Sequence, residues 1–268
     1  MRDGWHQGEV FIVKRLSLFL DLDGTLIELA EHPDAVSVPT QLPIVLQRLD
    51  VKLGGALAMA SGRNIEVLDR LLSPYRGSAI GVHGTERRLH GDAVVKHLLA
   101  PLPAGLREAV VDIARQHPGA FIEDKGSAIA VHERGDAAMA HALFEQLRAV
   151  CERHGAGWQC LPGRRVVEIK PTGVDKGTGI EWLMQQAPFT ITSPVAVGDD
   201  ITDLDMFDAA TRFGGLTVAV GERIAEDGQV HLHSPAAVLR FLEKWSRSIG
   251  NESLADVEAL ARQADVAT

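Results

Sequence analysis

The regular pattern begins at Leu16-Ser17-Leu18-Phe19-Leu20, a short apolar run that stops abruptly at Asp21. A run of this length, closed by a polar turn, predicts a strand buried on both faces. Residues 41–51 then place Leu42, Val45, Leu46 and Leu49 at helical spacing. Leu57-Ala58-Met59-Ala60 predicts a second buried strand, ending at Ser61-Gly62-Arg63. Helical spacing returns from Ile65 to Leu72, and Ala79 to Val82 predicts a third strand before His83-Gly84. Residues 1–15 carry no comparable pattern and read as a loose leader.

The middle of the chain has a different rhythm. After Pro101 and Pro103, Leu106 to Gln116 reads as a helix. Phe121 to Glu123 and Ser127 to His132 read as two strands around Asp124-Lys125-Gly126. A long amphipathic helix follows from Ala137 to His154, then a strand from Val166 to Ile169. From Lys176 the first rhythm resumes: helix to Gln186, strand Pro194 to Gly198, helix Asp203 to Ala210, strand Leu216 to Val220, helix Ala236 to Trp245. Leu254, Val257, Leu260 and Ala261 predict one more helix in the tail. Alternating strands and helices predict an α/β fold with a doubly wound, mostly parallel, Rossmann-like sheet core. The helix-strand-strand-helix-strand stretch predicts an inserted α+β domain. The expected division is core 1–97, insert 98–171 and core 172–268.

Composition narrows the function. The net charge of −9 repels a nucleic-acid backbone, so no nucleic-acid partner is expected. The same charge repels anionic small molecules, so phosphate chemistry would need a metal or a local cationic cluster. The two cysteines, Cys151 and Cys160, form no CxxC pair and no zinc-spaced cluster with histidine. They read as reduced thiols of a cytoplasmic protein. No stretch approaches the roughly 20 apolar residues of a membrane span, and no signal segment opens the chain. A cytoplasmic monomer without a membrane partner is expected.

Asp21-Leu22-Asp23-Gly24-Thr25 is the sharpest chemical signal. Two carboxylates so close at a strand end call for a cation or a proton between them; read alone, the stretch is also a solvated turn. Asp199-Asp200-Ile201-Thr202-Asp203 follows a second apolar strand and suggests a hard-cation site, or else an N-cap cluster. Both fall on the same predicted sheet edge. Ser61, with the amides of Gly62 and Arg63, stands where an anion could be met at a helix start. Lys176 opens a predicted helix and could aim its ammonium there, or lie on the surface.

These residues resemble the four signature motifs of the haloacid dehalogenase superfamily of phosphatases: Asp21 to Thr25, Ser61, Lys176, and Gly198-Asp199-Asp200 with Asp203. Adding Gly81-Val82-His83-Gly84-Thr85-Glu86, Glu123-Asp124-Lys125-Gly126, Val131-His132-Glu133-Arg134 and Glu168-Ile169-Lys170-Pro171, the chain is similar to the trehalose-6-phosphate phosphatase family. Leu204 and Glu28-Leu29-Ala30 depart from that family's pattern without touching a motif carboxylate. The resemblance implies a Mg²⁺-dependent enzyme with a small-molecule sugar phosphate as substrate and an α+β cap over the site. It implies Asp21 as nucleophile, Asp23 as acid and base, and Ser61 and Lys176 on the phosphoryl oxygens. Asp21, Asp23 (through its backbone carbonyl), Asp199 and Asp203 would serve the metal. Glu123, Lys125 and Glu168 would contact the sugar; without the resemblance they read as surface salt bridges. Arg63 and His83 would line the cleft, His83 being equally readable as structural. Cap closure would hinge near Lys96 to Pro103 and Pro171 to Gly173. A phosphatase for another sugar phosphate, a non-catalytic phospho-sugar sensor and a phospho-accepting receiver domain are the competing readings.

Overall fold

A computed structural model describes residues 15–30, 35–163 and 165–265. The expected leader lies outside the described residues, apart from Arg15, which starts the first strand. In the first third of the chain the elements are β1 (Arg15–Leu20), α1 (Leu42–Lys52), β2 (Leu57–Ala60), α2 (Ile65–Leu71), β3 (Ser78–Gly81), β4 (Glu86–Arg88) and β5 (Lys96–His97). Next come α3 (Ala104–Gln116), β6 (Phe121–Asp124), β7 (Ile129–His132), α4 (Ala137–Arg153), β8 (Trp158–Pro162) and β9 (Val166–Pro171). The last third holds α5 (Lys176–Leu183), β10 (Thr192–Gly198), α6 (Leu204–Arg212), β11 (Leu216–Val220), β12 (Val230–Leu232), α7 (Pro235–Arg247) and α8 (Leu254–Asp265).

The larger sheet runs β12-β11-β10-β1-β2-β3-β4-β5. Its first six members are parallel, and β4 and β5 are antiparallel additions at one edge. Alternation along β1 explains the two layers. Leu18 and Leu20 face the cluster that includes Leu46, Phe241 and Trp245, whereas Phe19 faces the cluster with Ile180, Leu183 and Met206. Helices on both faces bury the strands completely, which is why these strands read as unbroken apolar runs. The chain winds outward from β1 through β2 and β3, then returns to β10 on the other side of β1. That reversal is the topological switch point of the sheet, where the strand ends leave a crevice.

The four-stranded antiparallel sheet β6-β7-β9-β8 is separate from the larger one. Its core packs Ile129, Val131, Val167 and Ile169 against Leu106, Val110, Leu143 and Leu147 of α3 and α4. The tail helix α8 docks through Val257, Ala261 and Ala264. Among the described residues, no helix is long and apolar enough to cross a membrane.

Four strands escape the hydrophobic pattern: β4, β5, β8 and β12. The clearest case is β4, whose residues Glu86-Arg87-Arg88 are all charged yet all buried. Its charges are matched rather than solvated. Arg88 forks onto Asp69 at 2.5 and 2.7 Å and onto the Gly77 carbonyl. Glu86 accepts the Ile65 amide at 2.8 Å. Arg87 bonds the Gly84 carbonyl and lies over Trp182. The third strand is shifted by one: Val82 leaves β3 for a tight turn with His83 and Gly84.

Close packing of α5 on α6 explains one glycine. A Cβ on Gly177 would overlap the Asp205 carbonyl oxygen, a backbone atom that cannot swing aside. In a helix, Gly→Ala ordinarily stabilises by roughly 0.5–1 kcal/mol. Here we expect Gly177→Ala to lower the unfolding free energy by about 1–3 kcal/mol in urea titration; an unchanged midpoint would show that the two helices have room to separate.

Candidate active site

The two acidic clusters meet because of strand register. Leu20 pairs with Val197 across β1 and β10, and the Asp21 amide donates to the Val197 carbonyl at 3.0 Å. Asp21 and Gly198-Asp199 therefore leave adjacent strands at the same edge. The turn after Asp21 closes on itself through Gly24 N–H to the Ile27 carbonyl, at 2.8 Å. Gly24 has φ +86°, and a Cβ there would collide with the Asp199 carboxylate. Only glycine allows this approach. Thr25 Oγ1 then donates to Asp199 Oδ1 at 2.9 Å and fixes that carboxylate against the turn.

Asp203 is fully buried and its two oxygens have separate tasks. Oδ2 accepts the amides of Asp199 and Asp200, each at 3.0 Å, holding the second acidic loop in shape. Oδ1 accepts Lys176 Nζ at 2.6 Å. Lys176 also donates to Asp21 Oδ1 at 2.7 Å. As the first residue of α5, Lys176 is placed by a capping box between Asp175 and Thr178. Burial opposes the ammonium charge, but Asp203 and Asp21 outweigh it and hold the lysine above its ordinary range. Burial, with Asp203 and Asp199 nearby, holds the Asp21 carboxyl well above the usual carboxylate range despite Lys176. Burial and Asp203 push Asp199 up to about 7.

One oxygen each from Asp21, Asp199 and Asp203 lies within 4.8 Å of the others. Three carboxylates thus face a single ammonium in a buried site. This surplus of hard oxygen ligands fits a divalent cation such as Mg²⁺.

Ser61 follows β2 and is buried. Its Oγ accepts the Arg63 amide at 3.2 Å, which closes the loop that leads into α2. The Arg63 side chain forks onto Asp23 at 2.6 and 2.7 Å. A Cβ on Gly62 would strike the His83 ring.

The smaller sheet supplies the opposite wall. Lys125 donates to Glu168 Oε1 at 2.8 Å and lies 4.0 Å from Glu123. His132 sits 3.0 Å from Glu123 and stacks on Phe121. His83 Nε2 lies 2.6 Å from Glu168 Oε2. These are not surface salt bridges. Lys125, Glu168 and His83 side chains are each about one-tenth exposed. Burial pushes the Glu168 carboxyl up, but His83 and Lys125 outweigh it and hold it well below the usual range.

One cavity of about 1240 Å³ is lined by Asp21, Asp23, Ser61, Gly62, Arg63, His83, Glu123, Lys125, Glu168, Lys176 and Asp199. Asp203 lies beneath it. Sequence reasoning gave no role to Thr25, Asp175 or His132. Thr25 was inside the first motif, and Asp175-x-x-Thr178 carries a readable capping-box spacing. His132 lay inside the quoted Val131–Arg134 stretch, but its contact with Glu123 depends on the pairing of β6 with β7.

Comparison with known proteins shows the family and the fold. The trehalose-phosphatase family model matches residues 19–238. A probable trehalose-phosphate phosphatase of Sinorhizobium fredii is 40% identical over 205 residues, covering 76% of this chain and 77% of that protein. The trehalose-6-phosphate phosphatase of Escherichia coli K12 is 41% identical over 207 residues, covering 76% of each. In fold, the C-terminal domain of the C. albicans trehalose-6-phosphate phosphatase superposes with a TM-score of 0.76 at 24% identity, over 88% of this chain and 93% of that one. With a family match across most of its length and relatives of this identity, the chain belongs to the trehalose-phosphatase family.

Proposed function

We propose that this protein hydrolyses trehalose 6-phosphate to trehalose and inorganic phosphate, with Mg²⁺ and through an aspartyl-phosphate on Asp21. The observation that carries the reading is the meeting of Asp21, Lys176 and Asp199 in a cavity that is also lined by Glu123, Lys125 and Glu168. Reactive carboxylates and the Glu123, Lys125 and Glu168 charges share one cleft, which suits a phosphate ester of an uncharged sugar. At about 1240 Å³ the cleft is not too small for a disaccharide phosphate. In this reading residues 1–97 and 172–268 form the core and 98–171 the cap, which closes about 96–103 and 171–173.

Asp21, Asp199 and the backbone carbonyl of Asp23 would hold Mg²⁺, with Asp203 supporting the loop beneath. When bound, the ion offsets the repulsion between a carboxylate nucleophile and a phosphate dianion. Lys176 and the Ser61 hydroxyl bind the equatorial oxygens, where charge spreads in the transition state. Asp21 attacks phosphorus in line, and the ester bond to the sugar oxygen breaks. Asp23 gives that oxygen its proton, then takes one from the water that cleaves the acyl phosphate. Both Asp23 oxygens are held by the Arg63 guanidinium, so Arg63 releases Asp23 when substrate enters and turns to the sugar. Glu123, Lys125 and Glu168 exchange some of their mutual contacts for sugar hydroxyls, keeping each buried charge partnered.

The decisive assay is phosphate release from a panel with Mg²⁺: trehalose 6-phosphate, sucrose phosphate, mannosyl-phosphoglycerate and hexose phosphates. A clear preference for trehalose 6-phosphate is expected; equal or better turnover of another member would overturn the substrate assignment. Asp21→Asn should retain the fold by circular dichroism and lose turnover by about 10³-fold or more, and a fully active variant would remove the covalent step. A separate measurement tests the cation site. Because three carboxylates crowd one lysine, Asp199→Asn should raise the stability of metal-free protein by about 1–3 kcal/mol. It should also abolish the Mg²⁺-dependent rise in melting temperature shown by the parent. A parent whose melting temperature ignores Mg²⁺ would count against the site.

A further inference from the structure

The turn after β3 is conformationally costly. Val82, His83 and Gly84 have φ of 45°, 50° and 106° in succession. A β-branched residue in the left-handed region is a genuine outlier, and such strain persists only where the surroundings impose it. The surroundings here are the two loops that hold the phosphoryl-binding groups. The Val82 amide donates to the Arg63 carbonyl at 3.0 Å and the His83 amide to the Ser61 carbonyl at 3.1 Å. On the other side, Gly84 lies so close to the Asp175 carbonyl that a Cβ would overlap it. Asp175 caps the helix that begins with Lys176.

This backbone carries the imidazole across to the smaller sheet. His83 Nε2 reaches Glu168 Oε2 at 2.6 Å, while Lys125 takes the other oxygen at 2.8 Å. Glu168 is therefore gripped from both sides, once by its own sheet and once by the catalytic edge. Burial pushes the imidazole below its ordinary range against the pull of Glu168. The contact is then an imidazole N–H donating to a carboxylate.

We propose that His83 is a positioning residue for sugar recognition, holding Glu168 in register with the Ser61 and Lys176 loops so that the sugar is bound at the distance phosphoryl transfer requires. This rests on the reading of Glu168 as a sugar contact. A turn-forming role alone makes a different demand, because the left-handed region favours asparagine over other non-glycine residues. Asparagine suits the turn but is too short to reach Glu168. Glutamine suits the turn less well, yet its Nε2 can occupy the place of the imidazole donor.

The test uses the full chain with Mg²⁺ and compares the parent, His83→Asn and His83→Gln on two substrates. One is trehalose 6-phosphate, or whichever sugar phosphate the parent prefers; the other is p-nitrophenyl phosphate, which lacks a sugar. The parent alone decides the substrate assignment, so that result is separate from the one on His83. We expect His83→Asn to raise KM for the sugar phosphate about tenfold more than KM for p-nitrophenyl phosphate. A smaller loss in kcat should accompany it. His83→Gln should restore the sugar KM to within about threefold of the parent. Equal losses in both variants, or a better enzyme with asparagine, would overturn the proposal. If His83→Asn does not fold, a cycle of His83→Gly, which suits the turn and removes the donor, with Glu168→Gln replaces it. Overlapping losses in kcat/KM support the coupling, and additive losses refute it.

Discussion

The Lys176 ammonium, placed between Asp21 and Asp203, is the contact on which the site depends. It joins the end of β1 to the loop after β10 by way of the first residue of α5. Without a cation there, Asp21, Asp199 and Asp203 would be like charges in a medium that screens them poorly, and an unpaired buried charge costs several kcal/mol. One ammonium does not balance three carboxylates. The surplus of carboxylate oxygens over ammonium fits the divalent ion of the proposed function.

Backbone geometry makes that arrangement possible. The parallel pairing of β1 with β10 brings two motifs 178 residues apart to one edge. Gly24 then removes the one side-chain atom that would stand between them. Neighbouring loops are fixed by polar contacts with little freedom: Asp203 ties two successive amides, Thr25 ties Asp199, and Asp175 with Thr178 starts α5. The large apolar layers on either side of the sheet stabilise the fold enough to tolerate this cost, at roughly 1.5–3 kcal/mol for each fully buried Leu, Ile or Phe.

The smaller sheet repeats the same logic at lower charge density. Glu168, Lys125, Glu123, His132 and His83 form a chain of partnered polar groups, with almost no exposed surface at its centre. Such a network is stable only while each member is satisfied. A polyol ligand can enter it because hydroxyl groups both donate and accept, and so replace either kind of partner. In the proposed function, selectivity for an uncharged sugar would rest on this requirement more than on shape.

Much of this was legible in the sequence because it depends on local rules. Buried parallel strands must be apolar on both faces, so β1, β2, β10 and β11 announced themselves, and the acidic motifs stood out where those runs stopped. Helical spacing located α1, α3, α4 and α7 for the same reason. What depends on distant partners was not legible. The charged strand β4 is stable only because Asp69, Gly77 and Trp182 are waiting for it. Whether Glu123, Lys125 and Glu168 were surface charges or a buried network was decided by the pairing of β6, β7 and β9, which no single stretch encodes. The left-handed turn at Val82 and His83 contradicts local preference outright. It exists because two loops and a carboxylate from elsewhere in the chain hold it, and only the assembled structure contains all three.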